Sequence, residues 1–270
     1  MIDSVDSSVA FLDSGLGGLP YLQWVRRRRP DLMLTYFADT ENFPYGECRE
    51  HEVRDAAVGA ARKIFRRGTP RLLALVCNTA SVAALEQIRA FAPCPVVGTV
   101  PAVKPAAEGS NPGPIGVLAT RGTVDSSYLD GLIASFAPNR RVIRASAGDI
   151  VRYVEESLLD KADPGPGEVM LPALESLREA EVGSVVIGCT HFLHVLDFIA
   201  DHLGAGVNLV DSREGVGRRI LDLAGAEDPG GSANPRAGAG AFFVTREGKN
   251  TERCRMFARL FGLEWAGAAV

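Results

Sequence analysis

Short runs of aliphatic and β-branched residues, most ending in small polar residues, alternate along this chain with stretches of helical spacing. The run 9–12 ends at Asp13-Ser14-Gly15, the run 32–38 at Asp39-Thr40, and the run 72–76 at Cys77-Asn78-Thr79. A shorter run covers 96–98. Between them, residues 19–29, 51–67 and 79–91 have helical spacing, and Gly68 reads as the C-cap of the second. The pattern then restarts. Strands are expected at 115–119, 142–145, 185–187 and 207–210, with helices over 124–136, 150–159, 168–180 and 193–203. A strand at 241–245 and a helix at 251–260 follow. Such alternation predicts an α/β fold of mostly parallel sheets flanked by helices. Residues 109–114, 163–167 and 225–240 read as loops by their Gly and Pro content. Two segments look alike: 73–79 and 184–191 are each an apolar strand, then Cys, then small polar residues. Their cysteines, Cys77 and Cys189, lie 112 residues apart. That is about one α/β domain and suggests two similar domains.

The length of 270 residues suits one large domain or two of about 100–150 residues. A hydrophobic fraction of 46% excludes bulk disorder. With 29 basic against 33 acidic residues, net −4, the chain as a whole offers no attraction for nucleic acid or an anionic membrane. The Arg26-Arg27-Arg28-Arg29 run ends a predicted helix before Pro30, where cations suit the helix dipole, and it reads as a solvated face. No apolar run approaches the ~18–20 residues of a membrane span. Asp3 and Asp6 stand where a signal peptide carries Lys or Arg, so the expected location is the cytoplasm. Five widely spaced cysteines, an odd number, are read as thiols rather than a disulfide framework.

Ligands of open α/β sheets bind beyond the carboxyl ends of the strands. Four polar clusters fall there: Asp13-Ser14-Gly15, Asp39-Thr40, Cys77-Asn78-Thr79 and Cys189-Thr190-His191. Each is open to a plain helix-capping role, although Cys is an indifferent cap and occurs twice in the same setting. Gly15-Leu16-Gly17-Gly18 invites a dinucleotide reading that fails where Pro20 replaces the third glycine. Cys189, His191 and His194 have a spacing that could suit a metal, but no C-x-x-C accompanies them. A Cys77–His191 hydrolase would leave Cys189 without a task. Two thiols on opposite faces of one carbon have a third use. One takes a proton and the other delivers one, inverting the stereocentre without a cofactor, with Asp13 and His191 assisting the proton exchange.

The residues resemble the glutamate racemases of the aspartate/glutamate racemase superfamily. The resemblance is carried by Phe11 to Leu19, by Tyr36 to Thr40 with Pro44-Tyr45-Gly46, and by Cys77 to Ser81. Thr120 to Val124 with Ser126 and Tyr128, Gly188 to His191, and Val210-Asp211-Ser212 complete it. It implies two pseudo-symmetric α/β domains, 1–99 plus 210–270 and 100–209, with the active site in the interdomain cleft. It implies racemisation of L- and D-glutamate for peptidoglycan, with neither pyridoxal phosphate nor metal as cofactor. By position, Cys77 and Cys189 are the catalytic pair. Asp13, Ser14, Tyr45, Gly46, Asn78, Thr79, Thr190 and His191 match the substrate-binding positions. The implied partner is the small-molecule substrate glutamate, with no nucleic acid and no membrane, and a homodimer is the candidate assembly. The segment 148–156 departs from the family by lacking its prolines and by carrying Asp149 and Arg152, and Phe192-Leu193-His194 replaces aromatic–Pro–Leu. Two other readings remain: a racemase of another acidic amino acid or a hydantoin, and a small-anion-binding protein on the same scaffold.

Overall fold

The structure is a computed structural model that describes residues 5–160, 162–163, 165–225, 238 and 240–269. Its strands are β1 (Val9–Asp13), β2 (Leu34–Ala38), β3 (Leu72–Leu75), β4 (Val96–Gly98), β5 (Ile115–Ala119), β6 (Val142–Ser146), β7 (Ser184–Ile187), β8 (Asn208–Val210), β9 (Gly240–Val244) and β10 (Glu264–Ala268). Its helices are α1 (Leu19–Arg28), α2 (Glu50–Arg66), α3 (Asn78–Phe91), α4 (Val103–Glu108), α5 (Arg121–Val124), α6 (Ser127–Phe136), α7 (Asp149–Glu156), α8 (Gly167–Glu179), α9 (Leu196–Leu203), α10 (Arg213–Ala224) and α11 (Thr251–Leu260). The chain divides into two compact units, Met1–Thr99 with Arg213–Val270, and Val100–Ser212.

The fold is α/β with two parallel sheets, as the alternating pattern predicts. The first unit holds six strands in the order β10-β9-β2-β1-β3-β4, and the second holds four in the order β6-β5-β7-β8. All pairings are parallel. Every residue of β1, β2, β3, β5, β7 and β9 is buried. Strands covered on both faces need apolar residues at successive positions, which is why their sequences are continuous aliphatic runs. In the first unit one face packs Leu12, Phe37, Leu73, Leu75 and Phe243 against Val53, Ala57, Ala61 and Ile64 of α2 and Ala80, Ala84 and Ile88 of α3. Phe37 and Phe243 stack with centroids 4.7 Å apart. In the second unit Ile115, Val117, Ala119 and Val186 pack with Val103, Ala106, Val124 and Leu129.

Several elements differ from expectation. The single helix expected at 124–136 is two, because the Ser126 hydroxyl accepts the Leu129 N–H at 3.2 Å and starts α6 afresh. The helix expected from 193 begins as a 3-10 turn, Thr190–Val195, before α9. The pattern reading passed over α4, α10 and β10. Of the expected 225–240 loop, 226–237 and 239 lie outside the described residues.

The arginine run has a specific task. Arg26 donates to the carbonyls of Phe261 and Gly262, just past the end of α11. Arg29 donates to the Gly225 carbonyl at 2.8 Å, just past α10, and pairs with Asp31 at 2.7 Å. Arg71 donates to Ala224 at 2.9 Å. Terminal helix carbonyls lack intrahelical donors, and these guanidinium groups supply them from outside the helix. Arg28 stacks over Trp24 at 3.6 Å, and Arg27 and Arg28 keep the exposed, solvated face.

Candidate functional site

The two cysteine segments share one backbone frame. Cys77 and Cys189 each lie two residues beyond the end of a strand, β3 and β7, and each caps the helical segment that follows. Their dihedrals agree: φ −131°, ψ 120° for Cys77 and φ −139°, ψ 136° for Cys189. The preceding residue bonds the same way in both. Val76 N–H donates to Leu12 at 2.9 Å, and Gly188 N–H to Leu118 at 2.8 Å. The neighbouring strand ends also match, with Asp39 N–H donating to Asp13 and Ala147 N–H to Ala119. Both thiols are buried, 6% and 8% exposed. Gly188 is required by close approach, since a Cβ there would sit 2.8 Å from that of Ala119.

In the first unit the strand ends present carboxylates. Asp13 is fully buried, and the Ser14 hydroxyl donates to it at 3.2 Å. The glycine turn after Ser14 is held by the Tyr36 hydroxyl, which donates to the Gly15 carbonyl at 2.7 Å and accepts the Gly18 N–H at 3.1 Å. A Cβ on Gly18 would meet Val76 at 2.4 Å and the Asp13 carboxylate at 2.9 Å. Asp39 is also fully buried and gathers three donors: Tyr45 at 2.5 Å, Thr245 at 2.5 Å and Asn42 at 3.0 Å. Burial first, then the Asp39 charge and hydrogen bond, raise the Tyr45 phenol well above its ordinary pKa. The charges of Cys77 and Asp13 act on the same phenol, so Tyr45, Asp13, Asp39 and Cys77 form one group. Gly46 follows Tyr45 in its short 3-10 turn. Asn78 and Thr79 open α3; the Asn78 amide oxygen accepts from Thr99 at 3.4 Å, while Thr79 is half-buried.

In the second unit the equivalent strand-end positions carry Ala119 and Ala147, and the charge comes from elsewhere. His191 Nε2 lies 2.8 Å from Glu155 Oε1 of α7, and its Nδ1 lies 4.0 Å from the Cys189 sulfur. Both His191 and Glu155 are 2% exposed. Burial opposes a charge on the imidazole. Hydrogen bonds to Cys189 and Glu155, then their charges, outweigh it and hold the His191 pKa well above the ordinary value. An imidazolium here donates one N–H to Glu155 and turns the other toward the Cys189 sulfur. Thr190 is buried beside it.

The remaining thiols lie elsewhere. Cys254 is buried, and Cys48 and Cys94 have raised pKa values, chiefly through desolvation. Among the described residues no group of three or more His, Cys, Asp or Glu side chains could hold a metal ion, so Cys189, His191 and His194 do not form the metal set weighed from spacing. Nor is any described helix long and apolar enough to cross a membrane. Two charged groups were missing from the expected site, Asp39 and Glu155. Asp39 had a signal, its place at a strand end. Glu155 had only its place in the segment 148–156, since 36 residues separate it from His191.

A family model described as Asp/Glu/Hydantoin racemase matches residues 21–214. The chain is 36% identical over 260 residues to a glutamate racemase of Treponema pallidum, covering 96% of this chain and 95% of that one. It is 40% identical over 223 residues to a glutamate racemase of Sphingopyxis alaskensis, covering 81% and 82%. Among solved structures it is similar to Escherichia coli glutamate racemase in complex with L-glutamate and the activator UDP-MurNAc-Ala. That match has a TM-score of 0.81 and 32% identity, over 97% of this chain and 98% of that one.

Proposed function

We propose that this chain, which belongs to the Asp/Glu/hydantoin racemase family, interconverts L- and D-glutamate by proton transfer between Cys77 and Cys189. The observation that carries the reading is the duplicated strand end: two buried thiols on the same backbone frame, each beside its own charged groups.

The α-proton of an amino acid is a very weak acid. Its base must be close, aligned and shielded from water. A thiolate removes the proton from one face only, so inversion requires a thiol on the other face. Cys189, beside the His191 imidazolium, takes the proton from L-glutamate. Cys77, grouped with Asp13 and the Asp39–Tyr45 pair, takes it from D-glutamate. Backbone N–H groups at the starts of α3 and of the Thr190–Val195 turn, with the Ser14, Thr79 and Thr190 hydroxyls and the Asn78 amide, hold the two substrate carboxylates. Asp13 faces the ammonium or supports the Cys77 thiol, and Tyr45-Gly46 closes that end of the site. The product D-glutamate serves peptidoglycan synthesis in the cytoplasm.

The test is incubation with L-glutamate in deuterated water. D-glutamate should form with deuterium at its α-carbon, without added pyridoxal phosphate. If exhaustive dialysis against chelator abolished turnover and zinc restored it, the two-thiol mechanism would be wrong. A small-anion-binding protein would need neither thiol and would bind glutamate without exchange.

A further inference from the structure

Helix α7 has only eight residues, yet it carries Glu155, the partner of His191. Two turns of helix are marginal alone, and their last carbonyls need donors from outside. Tyr153, two residues before Glu155, lies where its carbonyl accepts the N–H groups of Ser157 and Leu158 at 2.8 and 2.9 Å. Its hydroxyl lies 2.8 Å from both oxygens of Asp163 and donates to that carboxylate. Asp163 also accepts the Leu159 N–H at 3.2 Å and the Gly165 N–H at 2.8 Å. Leu159 has φ +73°, a conformation that L residues with side chains adopt at a cost and keep only when the surroundings hold it. Asp163 therefore gathers the chain leaving α7 into one knot, and the Tyr153 hydroxyl ties the knot back to the helix. Helix α7 also packs against the turn that carries His191.

We infer that the Tyr153–Asp163 hydrogen bond is a positioning device for the reaction: it fixes the last turn of α7 and so keeps the Glu155 carboxylate on His191, beside Cys189. The inference rests on the two-thiol reading. Tyr153 touches neither thiol nor substrate in this scheme and acts through Glu155. Hydrogen-bonded groups at a reacting centre need placement to about half an ångström, and a frayed helix end cannot supply it.

The test uses the full chain with Tyr153→Phe, which keeps the ring and removes only the hydroxyl, and Asp163→Asn as the second variant. Turnover is measured in both directions, and the His191 ring nitrogens are followed by NMR on histidine-labelled protein, with Glu155→Gln as the reference shift. Each variant should lower kcat about tenfold while KM for glutamate changes less than about twofold. Each should also move the His191 nitrogen resonances in the direction that Glu155→Gln moves them. The effect of Asp163→Asn should shrink in the Tyr153→Phe background, since part of its loss is the weakening of the bond that the two side chains share. A folded variant with wild-type kcat, or with unmoved His191 resonances, overturns the inference. Should Tyr153→Phe not fold, Asp163→Asn decides by the same readings. A wild-type chain that failed to racemise glutamate would sink the proposed function, and the resonance comparison would still decide the positioning role.

Discussion

Cys77 and Cys189 share dihedrals and backbone bonds, but not neighbours. Where the first unit places Asp13 and Asp39, the second has Ala119 and Ala147, with Glu155–His191 brought in from a helix and a turn. The two thiols therefore sit in different electrical settings. Cys77→Ser and Cys189→Ser should each lower racemisation by about 10²–10⁴-fold, the usual contribution of one acid/base group, while glutamate still binds. Because the enantiomers have equal free energy, kcat/KM must fall by the same factor in both directions, which progress curves from either enantiomer can check. Cys48→Ser, Cys94→Ser and Cys254→Ser should racemise at near wild-type rates when folded. A second prediction concerns His191. Its folded pKa is raised, so its charged form contributes stability that is fully present below an unfolded value of about 6.5 and is lost as pH rises through the folded value. In Glu155→Gln that dependence should flatten, as urea unfolding across the pH range would reveal. The thiols and Asp13 were legible in the sequence because they sit in short strand-end motifs. Glu155 was not, because nothing local marks a helical glutamate as the partner of a histidine 36 residues on.

At the scale of elements, β1 to β9 were legible, and β10, α4 and α10 were not. Strands buried on both faces announce themselves as aliphatic runs; β10, with Glu264, Trp265, Ala266, Gly267 and Ala268 at a sheet edge, does not. Helix α10 buries Val216, Gly217, Ile220 and Ala224 at helical spacing, but two of these four are Gly or Ala, so the apolar signal is faint. Gly217 is the reason α1 and α10 approach closely, for a Cβ there would lie 2.3 Å from the Trp24 ring. Arg29 then secures the end of α10. Arg29→Ala should cost about 1–3 kcal/mol, the worth of a hydrogen bond from a charged group plus a carbonyl left short of donors. Urea denaturation would measure it, and a loss below the error of the method would reduce the arginine run to surface charge.

For the whole molecule, racemisation from either pure enantiomer should end at about a one-to-one mixture, since no free-energy difference favours one hand; circular dichroism or polarimetry would follow the approach to zero rotation. The order of the strands has a further consequence, for the chain as it is being made. Strand β9 lies against β2 and is followed by Thr245, which donates to Asp39, yet the ribosome makes β9 roughly 200 residues after β2, a delay on the order of 10–40 s at ordinary synthesis rates. The second unit, Val100–Ser212, is continuous and completes its sheet in the meantime. During that interval β2 waits as an open apolar edge, the exposed template on which nascent chains misassemble. A chain cut after Ala224 should therefore fold its second unit and leave the first unable to close, so that it accumulates with chaperones or as aggregate rather than as a weakened enzyme.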